Sequence, residues 1–123
     1  MRLVYICSRY KPDEDHSIEF HRAVAAIACK VIVNENDSWI PVAPHLYFPQ
    51  FMDDDNPVER EKALLYGKCI LNSCSAMKVI VVDGIISEGM KEEIEQAEGK
   101  IPIDYFHTTK KEMEELIEKM IRN

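Results

Sequence analysis

Residues 79–94 read Val-Ile-Val-Val-Asp-Gly-Ile-Ile-Ser-Glu-Gly-Met-Lys-Glu-Glu-Ile: a buried strand, a short loop, and a helix start with carboxylates on its opening turns. Four consecutive β-favouring apolar residues suit a strand covered on both faces, which is the position of a strand in a parallel sheet. Parallel sheets bind small ligands beyond the C-terminal ends of their strands. Asp83, Ser87 and Glu93 therefore stand where a small-molecule site is expected.

Outward from this stretch the chain alternates between β and α patterns. Residues 2–7 form a first strand, ended by Ser8-Arg9-Tyr10-Lys11-Pro12. An acidic turn leads into a helix over residues 17–34, with Phe20, Val24, Ile27 and Val31 on its buried stripe. Residues 39–43 read as a second strand, and residues 44–51 as an aromatic loop bounded by prolines, able to wall a pocket. Asn56-Pro57 is a cap followed by proline at the first helical position, opening a helix to about residue 73. Residues 78–82 are the third strand, and a helix from Ser87 or Glu88 ends near Gly99. A fourth strand spans residues 101–105. Thr109 and Glu112 make a capping box before an amphipathic helix carrying Met113, Leu116, Ile117, Met120 and Ile121.

Strands separated by helices, with crossovers long enough for right-handed units, predict an α/β three-layer sandwich. The expected sheet is parallel, four- to five-stranded, and Rossmann-like or flavodoxin-like. At 123 residues the chain is read as one domain, long enough to bury a core without staples. Neither GxGxxG after the first strand nor GxxxxGK[ST] occurs, which disfavours dinucleotide-dependent and P-loop chemistry.

A net charge of −7, with a run at Asp53-Asp54-Asp55, opposes binding to a nucleic-acid polymer. It leaves room for a small anion held by local donors at a helix N-terminus. The apolar runs are too short to span a membrane, and the N-terminal residues lack the pattern of a signal peptide, so the expected location is cytoplasmic. Cys7, Cys29, Cys69 and Cys74 lie in apolar segments without a CxxC pair and read as buried reduced thiols; no metal or cofactor is expected.

Tyr-Ile-Cys-Ser-Arg-Tyr (5–10), Pro-Val-Ala-Pro-His-Leu-Tyr-Phe-Pro (41–49), Glu59-Arg60 and Ile-Ser-Glu-Gly-Met-Lys-Glu-Glu-Ile (86–94) resemble a phage and bacterial family of unknown function, of the DUF4406/DUF7768 kind. The resemblance covers nearly the whole chain. That family is itself similar to the nucleoside 2-deoxyribosyltransferases, a likeness that rests here on strand order, Tyr5 and the Ser87-to-Glu93 spacing. It implies a nucleoside or nucleotide substrate, with Glu93 attacking the anomeric carbon, Tyr5 holding Glu93, and Ser87 touching the substrate. The chain departs from the transferases where they carry an aspartate that protonates or holds the base: Gly67 stands there. Their C-terminal asparagine, supplied by a neighbouring subunit, has no clear counterpart, although Asn123 ends this sequence.

The chemistry suits these residue types. A glycosidic bond breaks through an oxocarbenium-like state, which a carboxylate stabilises or captures. The backbone N–H groups of Ser87, Gly89 and Met90 are placed to receive a hydroxyl or phosphate. Asp83 and residues 53–55 are candidate acids in place of the missing aspartate, and Ser8, Arg9, His45 and Arg60 are further candidates for substrate contact. Every one of these residues also has a plain structural role open to it: dipole-satisfying acid, cap, core aromatic or surface ion pair. Three readings remain: a glycosyl-bond enzyme, a nucleotide-binding module without turnover, and a structural protein. Homo-oligomerisation through the Tyr47/Phe48/Phe51 segment is expected under each.

Overall fold

The computed structural model describes residues 1–35 and 37–120. Ile121 and Asn123 lie outside the described residues. Four strands, β1 (Arg2–Cys7), β2 (Trp39–Val42), β3 (Ala76–Val82) and β4 (Ile103–Thr108), form one parallel sheet in the order β2-β1-β3-β4. Among the described residues, five helices connect or follow them: α1 (Ile18–Glu35), α2 (Pro44–Tyr47), α3 (Pro57–Asn72), α4 (Glu88–Ala97) and α5 (Lys110–Met120). The expected α/β sandwich is present, with four strands. No described helix is long and apolar enough to cross a membrane.

The period-two alternation of the central strands sorts their side chains between two helical layers. Tyr5, Cys7, Met77, Val79 and Val81 pack with Leu71 of α3 and Met90, Ile94 and Ala97 of α4. Ile6 and Ile80 face the other way, onto Phe20, Val24 and Ile27 of α1 and Met113 and Ile117 of α5. Each such large apolar side chain, moved from water to the core, contributes about 1.5–3 kcal/mol, so the two layers hold the sheet from both faces. Val31, expected on the buried stripe of α1, is partly buried against the same cluster.

Both edges of the sheet make sense locally. Pro41 pairs with Val4 on the edge strand β2, where a missing N–H costs no ladder bond. β4 starts and ends later than the expected residues 101–105, because its register with β3 runs from Met77↔Ile103 to Val82↔Thr108. Residues 44–51 are a correction to the expected loop. They form α2 and a 3-10 turn over Phe48–Gln50, with Pro44 and Pro49 in the opening positions of these short helices. Cys69 also departs from expectation, being exposed, and Cys29 is only partly buried, whereas Cys7 and Cys74 are buried.

The chain leaves β1 toward β2 on one side and reaches β3 on the other. The point of divergence is thus between the C-terminal ends of β1 and β3, the place where sheets of this winding open a crevice.

Candidate functional site

A cleft of about 470 Å³ opens at that point, a size typical of small-molecule sites. Five segments build it: the end of β1 with its following loop, α2 with the 3-10 turn, the loop over residues 52–54, α3, and α4. Tyr5, Ser8, Arg9, His45, Asp53, Asp54, Arg60, Ser87, Gly89, Met90 and Glu93 all line it, so eleven of the sequence candidates converge there.

Glu93 sits on the second turn of α4, facing β1. The Tyr5 hydroxyl, 2% exposed as a residue, donates to Glu93 Oε2. The Cys7 thiol approaches Glu93 Oε1 at 3.7 Å and the Met90 carbonyl at the same distance. Burial raises the Glu93 carboxyl to about 7, against the opposing pull of the Tyr5 and Cys7 hydrogen bonds; the neighbouring Glu92 charge adds to the rise. Burial and the facing Glu93 charge push the Tyr5 and Cys7 protons to be held well above their ordinary range, so both groups remain donors. A carboxyl that changes charge near neutrality, in a cleft, is the kind of group that carries chemistry.

Ser87 caps α4: its Oγ accepts from the Met90 N–H at 3.3 Å. The Met90 amide, one of the three expected ligand donors, is therefore engaged within the cap, and its side chain is 1% exposed in the core. Gly89 keeps an open position, since a Cβ built on it would meet nothing within 4 Å. A glycine here leaves the first-turn amides of α4 approachable from the cleft.

Other lining residues shape the walls. Tyr10 stacks on His45 with ring centroids 5.0 Å apart, joining the β1 loop to α2, and burial holds the His45 imidazole below its usual range. Phe48 packs among Tyr47, Phe51 and Tyr66, giving the cleft an aromatic flank. Arg60 lies 3.7 Å from Asp54 on the exposed rim. Gly67 faces the site floor, where an added Cβ would stand 3.9 Å from the Tyr5 hydroxyl.

Asp83 is placed elsewhere. Its carboxylate meets His16 Nε2 at 2.8 Å and accepts from the Lys110 N–H at 3.1 Å, at the start of α5. His16, 4% exposed, is bonded on its other nitrogen to Asp13 at 2.9 Å, and Asp13 in turn holds Arg9 at 2.8 Å. Asp83 also adopts φ 53°, a left-handed conformation tolerated by aspartate, ahead of Gly84 at φ 73°. The chain Asp83, His16, Asp13, Arg9 thus ties the exit of β3 to the rim of the cleft.

Neither Cys7 nor His16 was a sequence candidate. Cys7 was readable as the residue two beyond Tyr5, hence on the same face of β1. No local pattern pointed to the bond between His16 and Asp83, 67 positions away.

A family model described as a domain of unknown function matches residues 2–106. No curated protein matches the sequence. The match spans β1 through most of β4 and includes every lining residue discussed above, so the chain belongs to the domain family of unknown function DUF7768.

Proposed function

We propose that the cleft binds a deoxynucleoside or its 5′-monophosphate and cleaves or transfers its N-glycosidic bond. The observation that carries this reading is Glu93: a buried carboxyl, raised to about 7, bonded to the Tyr5 hydroxyl at the floor of a cleft. Tyr5 occupies Oε2, while Oε1 has only the long thiol contact and retains lone pairs for an anomeric carbon. In the proposed step Oε1 bonds to the sugar carbon as the C–N bond breaks, and the bonding pair leaves with the base. Water or a second base then attacks the glycosyl ester, its proton passing to the departed base anion, which returns the Glu93 carboxylate and gives net retention. Arg9, Arg60, and the amides at Ser87 and Gly89 are the groups offered to a phosphate or sugar hydroxyl. The proposal rests on the resemblance to the nucleoside 2-deoxyribosyltransferases together with this geometry.

One observation favours a second reading, a nucleotide-binding module without turnover. Position 67, beside Tyr5, carries no side chain, so no acid extends from α3 toward a leaving base there. Incubating the protein and Glu93→Ala with deoxynucleosides and their 5′-monophosphates separates the two. Free base released by the unaltered protein and lost in Glu93→Ala supports the enzyme; thermal stabilisation without release supports the binding module; neither response across the panel overturns both.

A further inference from the structure

A second polar cluster lies beside the cleft. Ser8 and His21 are 3% and 4% exposed, and Ser8 Oγ, Arg9 Nε and His21 Nε2 are buried without a hydrogen-bond partner among the described residues. All three residues line one small cavity, whose remaining walls are His16, with both ring nitrogens engaged by Asp13 and Asp83, and the apolar side chains of Val24, Ile80, Val82 and Ile85. Buried polar atoms are almost always paired, and three orphans on residues that line one cavity can share a partner placed within it.

The chemistry of the three atoms specifies that partner. Arg9 Nε can only donate. Burial, reinforced by the nearby Arg9 and His16, lowers the His21 imidazole to about 4, so the ring is neutral near pH 7; it bonds to the Lys11 backbone, where it must donate. With that N–H committed, His21 Nε2 can only accept. Ser8 Oγ can do either. The partner must therefore both accept and donate, which excludes a halide, a bare cation and an oxyanion. The cavity volume of about 10 Å³ admits one water and nothing larger.

We infer that this cavity binds a single internal water, which accepts from Arg9 Nε–H, donates to His21 Nε2 and bonds Ser8 Oγ, and which thereby fixes the Arg9 side chain at the mouth of the cleft. Arg9 lines the small cavity and the large cleft alike. Its far end is held at 2.8 Å by Asp13, which His16 and Asp83 hold in turn. Ser8, His21 and His16 are thus positioning residues for a cation aimed at the ligand. The water site stands independently of the proposed reaction; what Arg9 meets in the cleft rests on it.

The test is nitrogen-15 NMR on the full chain with labelled arginine, near pH 6.5. The Arg9 Nε–H is expected to exchange with solvent at least tenfold more slowly than that of the exposed Arg22, and to show a cross-peak to a long-lived water. Ser8→Ala and His21→Phe should each remove the cross-peak and the protection, while His21→Gln, which keeps an acceptor, should retain part of it. Arg9 exchange as fast as Arg22 in the unaltered protein, or protection without a water cross-peak, overturns the inference. The measurement on the unaltered protein is decisive even if a variant fails to fold, and no nucleotide enters it, so failure of the glycosyl-bond reading leaves it intact.

Discussion

Two titratable centres flank the same end of the sheet, and they treat their carboxylates in opposite ways. On the α3/α4 side Glu93 is buried with one strong donor and one weak one, and its carboxyl is raised to about 7. On the α1/α5 side His16 lies between Asp13 and Asp83, each of which also takes backbone N–H groups: Asp15 and His16 for the first, Lys110 for the second. Hydrogen bonding to His16 draws both aspartates below the ordinary carboxylate range, and the bond to Asp83 raises His16. The number of donors available to a carboxylate, set against its burial, decides which carboxyl can change charge near neutrality. The under-supplied one faces the cleft; the well-supplied one joins the starts of α1 and α5.

The largest expected effect, on the proposed glycosyl-bond reading, breaks this contrast at Glu93. Glu93→Ala should reduce base release at least about a thousandfold, and Tyr5→Phe by roughly ten- to a hundredfold, measured as chromatographic initial rates with the best substrate of the panel. Equal rates in Glu93→Ala and the unaltered protein would remove Glu93 from the chemistry.

Stability gives the next test. Because the folded carboxyl is raised from 4.5 to about 7, the fold favours its neutral form, and the penalty for ionising it grows as pH climbs through that window. Above it the penalty is about 3 kcal/mol. Glu93→Gln should therefore be more stable than the parent by about 2 kcal/mol at pH 8 in urea denaturation, with a flatter profile between pH 5 and 8. Parallel profiles would show that Glu93 ionises without cost.

His16→Gln sharpens the other side. His16 is raised, so its contribution is fully present below its unfolded value near 6.5 and disappears as pH rises through the folded value. The variant should melt roughly 5 °C lower at pH 6, with the deficit shrinking as pH rises. A deficit independent of pH would mean that His16 acts by packing against Phe20 and His21 alone. The smallest effect belongs to Cys7→Ala, which removes the weak donor to Oε1. The Glu93 titration, followed by carbon-13 NMR, should move upward by a fraction of a unit; no movement would deny the thiol contact any role.

These centres also mark how far the sequence could be read. The apolar run at residues 79–82, the Asn56-Pro57 helix start and the Ser87 cap follow from chemistry within a few positions, and the structure contains each of them. Asn56 Oδ1 accepts from the Val58 and Glu59 amides, and Thr109 Oγ1 accepts from the Glu112 amide, as short-range capping rules require, while the Thr109 hydroxyl donates to the Glu112 carboxylate. The Tyr5 to Glu93 contact was approachable through the family resemblance, although 88 positions separate the pair. What escaped was set by tertiary register: the extension of β4 to Thr108, which depends on its pairing with β3, and the turn at Asp83, which sends a candidate acid toward His16 and away from the cleft. The helical turns of residues 44–51 escaped because prolines both end strands and begin helices, and periodicity over eight residues does not choose between them.

Gly67 has a bearing on how the chain can change. A glycine in the interior of a helix such as α3 is worse than alanine by about 1 kcal/mol, so almost any small replacement would strengthen the helix. The same replacement would add atoms beside the Tyr5 hydroxyl, at an ordinary contact distance that requires no neighbour to move. Stability and an unobstructed cleft therefore pull this position in opposite directions. Every glycine codon is one nucleotide from a codon for aspartate or glutamate, so a change that would bring a carboxyl group to the site floor is within a single mutational step of Gly67.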